Sequence, residues 1–159
     1  MIIQEVKDVL LRKSFFTFHP DTNIFMLDGI DLNFLSLNRI LSVQVVQQYE
    51  DEELIKLKRH ACLFRLLCSI KAIEADTPPD TAKTFFEIEA ELDVIFDADS
   101  QVEVEELEEF SSNDIINHAA WPYWKEHVSS LCSKAGLNPL QVPPPQKNEP
   151  LKITAKRRL

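Results

Sequence analysis

The fold is decided by NDIINHAAWPYWKEHVSSLCSKAGLNPLQVPPP, residues 113–145. Apolar side chains recur there at spacings of three and four, which predicts an amphipathic helix. The buried stripe is expected to comprise Ile116, Ala119 or Ala120, Tyr123, His127 or Val128, Leu131, Cys132 and Ala135. Ser112 or Asn113 should cap its start, and Gly136 should end it in the left-handed conformation. The triple proline at 143–145 prevents further helix, so the chain leaves through an extended segment.

Just upstream, TFFEIEAELDVIFDAD at residues 84–99 alternates between apolar and acidic side chains over most of its length. Phe86, Ile88 and Ala90 point one way, whereas Glu87 and Glu89 point the other. A period of two over residues 84–97 predicts a strand with one buried and one wet face.

The remaining segments predict a sheet with few helices. Residues 39–49 and 56–74 alternate in the same way and are expected to be strands. Residues 102–110 favour a short helix, residues 1–13 an N-terminal helix, and residues 14–18 a possible first strand. Residues 21–38 contain the turn Asp28-Gly29 but are strongly apolar; both burial in the core and contact with a partner remain open.

This order predicts an α+β domain in which one face of an antiparallel sheet is covered. We expect one domain over residues 1–145, followed by a flexible basic tail over residues 146–159.

The composition of the chain excludes several classes of function. The net charge of −9 argues against nucleic acid or an anionic membrane as partner, and only two glycines leave no phosphate-binding loop. The N-terminus lacks the features of a signal peptide, and no apolar run reaches the length of a membrane span. Three cysteines within apolar patterns are interpreted as reduced core thiols, which predicts a cytoplasmic protein.

The order of strand, acidic connection, helix with Trp121-Pro122-Tyr123, and Pro-rich exit resembles the SecB family of ATP-independent protein-export chaperones. Glu126 stands where the family has the Glu of an Arg-Glu pair, and Lys125 replaces the Arg. The resemblance spans residues 41–72, the strand at 84–97 and the helix with its exit, about two thirds of the chain. It implies a four-stranded antiparallel sheet packed with a long C-terminal helix, assembled as a homotetramer (a dimer of dimers).

It also implies a holdase that binds non-native or extended polypeptide in apolar grooves, without a cofactor or enzymatic activity. The client-binding groove implied by position comprises Phe25, Phe34, Leu37, Leu41, Val43, Val45, Trp121 and Trp124. Plain core packing is the competing interpretation of the two tryptophans. Glu87, Glu89 and Glu91 lie on the strand where the family contacts the translocase motor, although a solvated strand face explains them equally well.

The basic, truncated C-terminus and the extra N-terminal segment depart from the export chaperones. SecB-like chaperones that accompany toxin–antitoxin pairs vary in these regions, so a dedicated client such as an antitoxin is favoured. The alternatives are a general export chaperone delivering preproteins to the translocase motor, and a non-chaperone adaptor or immunity protein. A metal hydrolase is disfavoured because carboxylates along one strand face point outward in a row and do not converge.

Overall fold

The computed structural model describes residues 3–23, 27, 30–49, 57–112 and 114–145. Phe25 and the tail at 146–159, both subjects of the sequence analysis, lie outside this part of the chain. The elements are β1 (Ile3–Phe18), β2 (Leu32–Tyr49), β3 (Leu57–Glu74), β4 (Thr84–Ala98), α1 (Val104–Ser111) and α2 (Ile115–Lys134).

The four strands form one antiparallel sheet in the order β1-β4-β3-β2. The predicted α+β architecture is therefore confirmed. β3 and β4 are central, whereas β1 and β2 pair on one side only and form the two edges. Apolar side chains of β3 and β4 are buried on the face that we call the inner face; the opposite, outer face contains Glu87, Glu89 and Glu91.

The predicted helix at residues 1–13 is wrong, because residues 3–18 form the single strand β1. Its pairing with β4 has three register shifts, between Ile3 and Val6, Val6 and Asp8, and Leu11 and Lys13. Each extra residue changes the phase of a period-two pattern. The apolar spacing therefore alternates between two and three, which resembles helical spacing when the pairing partner is unknown.

β2 begins at Leu32, seven residues earlier than the alternation at 39–49 indicates. The apolar segment expected to be a loop is therefore partly strand, and Phe34 pairs with Ala72 of β3. A register shift between Ile40 and Ser42 leaves Leu41 as the extra residue. This bulge reverses the alternation between the two halves of β2, so the first half does not continue the pattern of the second.

α2 packs on the inner face against β4 and β1. Its buried apolar side chains follow a spacing of four, namely Ile116, Ala120, Trp124, Val128 and Cys132, and the polar Asn117 is buried beside them. Tyr123, expected in the buried stripe, is instead exposed, because a strict spacing of four slants around the helix and excludes position 123. Below α1, the rings of Phe64, Phe96 and Phe110 form a cluster with centroids 5.0–5.8 Å apart.

The two ends of α2 differ in how well the sequence predicts them. Ser112 was expected as a cap, but it closes α1, where its hydroxyl donates to the Glu109 carbonyl at 2.7 Å, and the N-cap residue is Asp114. At the other end Gly136 has φ 73°, and the Leu137 N–H donates to the Cys132 carbonyl at 2.8 Å. This six-to-one hydrogen bond is that of a Schellman motif, which confirms the predicted glycine stop and turns the chain back towards the sheet.

Candidate functional site

The sequence-predicted groove residues on β2 divide between the two sheet faces. Phe34, Val43 and Val45 pair with Ala72, Phe64 and Cys62 of the core, so they lie on the inner face. Leu37 is an odd number of residues from Phe34, and alternation places its side chain on the outer face. Leu37 is 52% exposed, whereas Phe34 packs partly buried against the core.

The two tryptophans of α2 have different environments. Trp124 is 4% exposed, so the predicted groove residue is a core residue of its own subunit. It continues the spacing of four that faces the sheet. Trp121 is partly exposed; its indole N–H donates to the Pro143 carbonyl at 3.1 Å, and the Lys125 ammonium lies 5.0 Å from its ring centroid. Of the two, only Trp121 offers surface to a second molecule.

A cleft nevertheless brings β2 and both tryptophans together. It is lined by residues 36–38 of β2, by Leu66 and Cys68 of β3, and by Asn117, Ala120, Trp121 and Trp124 of α2. Pro143 and Pro145 of the exit segment complete the lining. The free space is only about 20 Å³, room for about one water molecule. The chain's own exit segment therefore fills most of this cleft.

A more open hollow of about 240 Å³ lies between β1 and α2. Its lining comprises Val9, Leu11, Leu92, Tyr123, Glu126, His127 and Ser130. At its side the Ser14 hydroxyl and His127 Nε2 are 2.6 Å apart, which ties β1 to α2. Burial, and then the charge of Lys134, lower the pKa of His127 from its ordinary value, so its imidazole is neutral at pH 7. The sequence analysis missed this pair, since 113 residues separate the two side chains.

The outer face carries ion pairs that the acidic pattern of β4 alone does not reveal. Asp93 is buried, and its carboxylate accepts from the Arg65 guanidinium at 2.8 and 3.2 Å and from Arg12 Nε at 3.1 Å. Glu87 lies 3.9 Å from the Lys71 ammonium and accepts from the Ser69 hydroxyl at 3.2 Å. Much of the negative charge on this face is thereby balanced by neighbouring strands.

One row across the outer face combines exposed apolar side chains with a carboxylate. Phe15 pairs with Glu89, Glu89 with Ser69, and Ser69 with Leu37. Phe15 is 58% exposed and Leu37 52%, and these two lie on opposite edge strands. Three strand spacings of about 4.8 Å put them about 14 Å apart. Exposed apolar groups thus flank the middle carboxylate of the predicted acidic face.

The other reactive groups are held in unreactive states. Burial raises the pKa of Cys68 to about 12 and that of Cys62 to about 11, so both thiols stay protonated near neutral pH. Among the residues that the structure describes, no three His, Cys, Asp or Glu side chains are close enough to hold a metal ion. No helix within the described ranges is long and apolar enough to cross a membrane.

Comparisons with known proteins give a fold but no sequence relative. No protein-family model matches the chain, and neither does any curated protein. Among solved structures, the chain is similar to a SecB-like chaperone of Mycobacterium tuberculosis in complex with a ChAD peptide from the HigA1 antitoxin. The TM-score is 0.56 at 15% sequence identity, over 97% of this chain and 92% of the other. The four-stranded antiparallel sheet, covered on its inner face by the long C-terminal helix, is therefore the fold of SecB-like chaperones.

Proposed function

We propose that the protein is a SecB-like, ATP-independent holdase that binds a polypeptide client in extended, non-native form. One observation carries the proposal. In the described part of the sheet, the exposed large apolar side chains all lie on the two edge strands: Val6, Leu10, Leu11 and Phe15 of β1, and Leu35, Leu37, Val45 and Val46 of β2.

Edge strands combine the two features that an unfolded chain can use. Each has a row of backbone groups without a strand neighbour, to which an extended segment can add as a further strand. Burial of its apolar side chains then contributes about 25 cal/mol for each Å² removed from water. Because burial is non-directional, such a surface tolerates many client sequences. Neither feature requires nucleotide, in keeping with a chain of only two glycines.

An antitoxin is the client that we favour. The solved neighbour is a complex of a SecB-like chaperone with an antitoxin peptide, and it matches this chain over nearly its whole length. The alternative, general export with delivery to a translocase motor, relies on Glu87, Glu89 and Glu91 as an acidic contact surface. The pairing of Glu87 with Lys71 weakens that surface, which leaves Glu89 with its apolar neighbours as its most distinctive part.

A homotetramer, built as a dimer of dimers, is part of the proposal. The exposed Leu11 and Tyr123 border the hollow between β1 and α2, and Val6 extends the same strip along the β1 edge. A second copy that adds at this edge would cover side chains that a single subunit leaves in water. We also propose that the protein works in the cytoplasm without cofactor or catalysis, which agrees with three free, buried cysteines.

The test is suppression of aggregation. An unrelated protein unfolding at its transition temperature should stay in solution when this protein is added without nucleotide, and added ATP should change nothing. An adaptor or immunity protein would bind one folded partner and leave that aggregation unchanged. Native mass measurement on the same sample checks the tetramer, and a monodisperse monomer would refute it.

A further inference from the structure

Residues 140–145, which we call the strap, are fixed to the body of the protein. Val142 is buried in the core cluster. Leu140, at the start of the strap, and Leu137, just before it, are partly buried against the same cluster. The Pro143 carbonyl accepts the hydrogen bond of the Trp121 indole at 3.1 Å. The strap is thus held by apolar contacts, of which the buried Val142 is the anchor, by the hydrogen bond to the Pro143 carbonyl, and by a hydrogen bond between the Leu140 backbone and Cys132.

The backbone of the strap has the shape of an extended peptide. Val142, Pro143 and Pro144 each precede a proline, which excludes the helical conformation at all three positions. Residues 143–145 have no N–H, so they accept hydrogen bonds but cannot donate to a strand. Such a sequence favours the left-handed polyproline conformation, which has no internal hydrogen bonds. It can lie against β2 without completing the sheet.

The cleft under the strap has the chemistry that accepts extended peptides. Grooves lined by aromatic side chains are the means by which several domains bind proline-rich segments. Here Trp121 supplies the N–H, Trp124 and Leu66 supply apolar wall, and residues 36–38 of β2 form the opposite side. The space left beside the strap is about 20 Å³, so a second peptide cannot enter while the strap is in place.

We infer that the strap occupies, within its own chain, a binding site for an extended polypeptide segment, and that a client gains this site by displacing it. The incoming segment offers a backbone carbonyl to the Trp121 indole and an apolar side chain to the space of Val142. This inference rests on the proposed holdase function and deepens it. A site closed by its own strap for about 90% of the time binds its client about tenfold more weakly than the open site.

Two truncated chains isolate the strap. One ends at Pro139 and lacks the strap and the tail; its matched control ends at Pro145 and lacks the tail alone. The probe is reduced, carboxymethylated lactalbumin, a permanently unfolded chain. The chain ending at Pro139 should bind it with a Kd about tenfold lower than the control. The chain's two tryptophans both line this cleft, so intrinsic fluorescence reports its state. The emission of the control should shift when an unfolded polypeptide without tryptophan displaces the strap.

A full-length variant covers the case in which truncation unfolds the chain. Val142→Ser keeps every backbone contact and weakens only the apolar anchor, so it should also lower the Kd for the probe, and a synthetic peptide of residues 137–145 should compete with the probe. If the control binds the probe while neither altered chain binds it more tightly, the strap inference is wrong and the holdase proposal stands. If none of these chains binds the probe, the holdase proposal fails and the inference fails with it.

Discussion

Leu37 and Phe34 lie on one strand, three residues apart. Replacement of Leu37 by alanine should mainly weaken client binding, whereas replacement of Phe34 by alanine should mainly lower stability. Leu37 is 52% exposed on the outer face, whereas Phe34 packs on the inner face against the core. Full burial of a leucine side chain is worth about 1.5–3 kcal/mol. Because half of Leu37 remains in water, Leu37→Ala should lower the free energy of unfolding by about half of this, about 0.75–1.5 kcal/mol. Complete Phe→Ala truncation costs about 3–5 kcal/mol, and the partial burial of Phe34 reduces this to about 2 kcal/mol.

Client binding should show the reverse order. A client that covers the exposed half of Leu37 loses about 0.75–1.5 kcal/mol of burial when the side chain is cut to alanine, which weakens its binding about 4- to 12-fold. Urea unfolding measures the first quantity, and titration with an unfolded polypeptide measures the second. Asn33→Ala is the matched control, since Asn33 is an exposed polar residue on the same face of the same strand. Equal destabilisation by Leu37→Ala and Phe34→Ala, or unchanged client binding by Leu37→Ala, would refute this division of the two faces.

Three further predictions follow from groups whose environment the structure defines. Asp93→Asn should lower the free energy of unfolding, measured in urea, by about 1–2 kcal/mol. This is less than the ~3–5 kcal/mol lost when a fully buried pair is broken, because both guanidinium groups that pair with Asp93 reach water. An unchanged unfolding midpoint would contradict this prediction. His127 should titrate below 6.5 in an NMR pH series, and Lys134→Gln should raise its pKa. Because the folded-state pKa of His127 is depressed, its contribution to stability is complete above pH 6.5. This contribution is lost as the pH falls from 6.5 towards the folded-state pKa. His127→Gln should abolish that loss. Cys62 and Cys68 should react with a thiol reagent at pH 8 only after the protein is unfolded, and rapid labelling of the native protein would show that these thiols are not held in the core.

The elements predicted well are those whose pattern needs no partner to be interpreted. β4 alternates along most of its length, and its pairing with β3 is regular over almost all of it. The end of α2 was predictable from Gly136 alone, because only the left-handed residue and its hydrogen bonds were needed. β1 failed for the opposite reason, since its three register shifts exist only relative to β4. The start of β2 was hidden in the same way by the bulge at Leu41.

The candidate site was predictable in its elements but not in the direction of its side chains. Placing the groove on β2 and α2 required only the order of segments, whereas the separation of Leu37 from Phe34 required the pairing with β3. Trp121 and Trp124 are indistinguishable by residue type; only the phase of α2 against the sheet puts the second in the core. The contact of Ser14 with His127 had no sequence signal, because nothing local links residues so far apart.

The two edge strands of the sheet, β1 and β2, lack the usual protection of sheet edges. Natural proteins protect edge strands by keeping them short, interrupting them with proline, or covering them. Here the edges are 16 and 18 residues long, contain no proline, and carry exposed apolar side chains. The proposed tetramer and the proposed client would each cover such an edge. Nine prolines occur in the chain, and three of them stand in succession where the exit segment enters the cleft beside β2. A segment without N–H groups cannot become a fifth strand there, in keeping with our inference that a client displaces it.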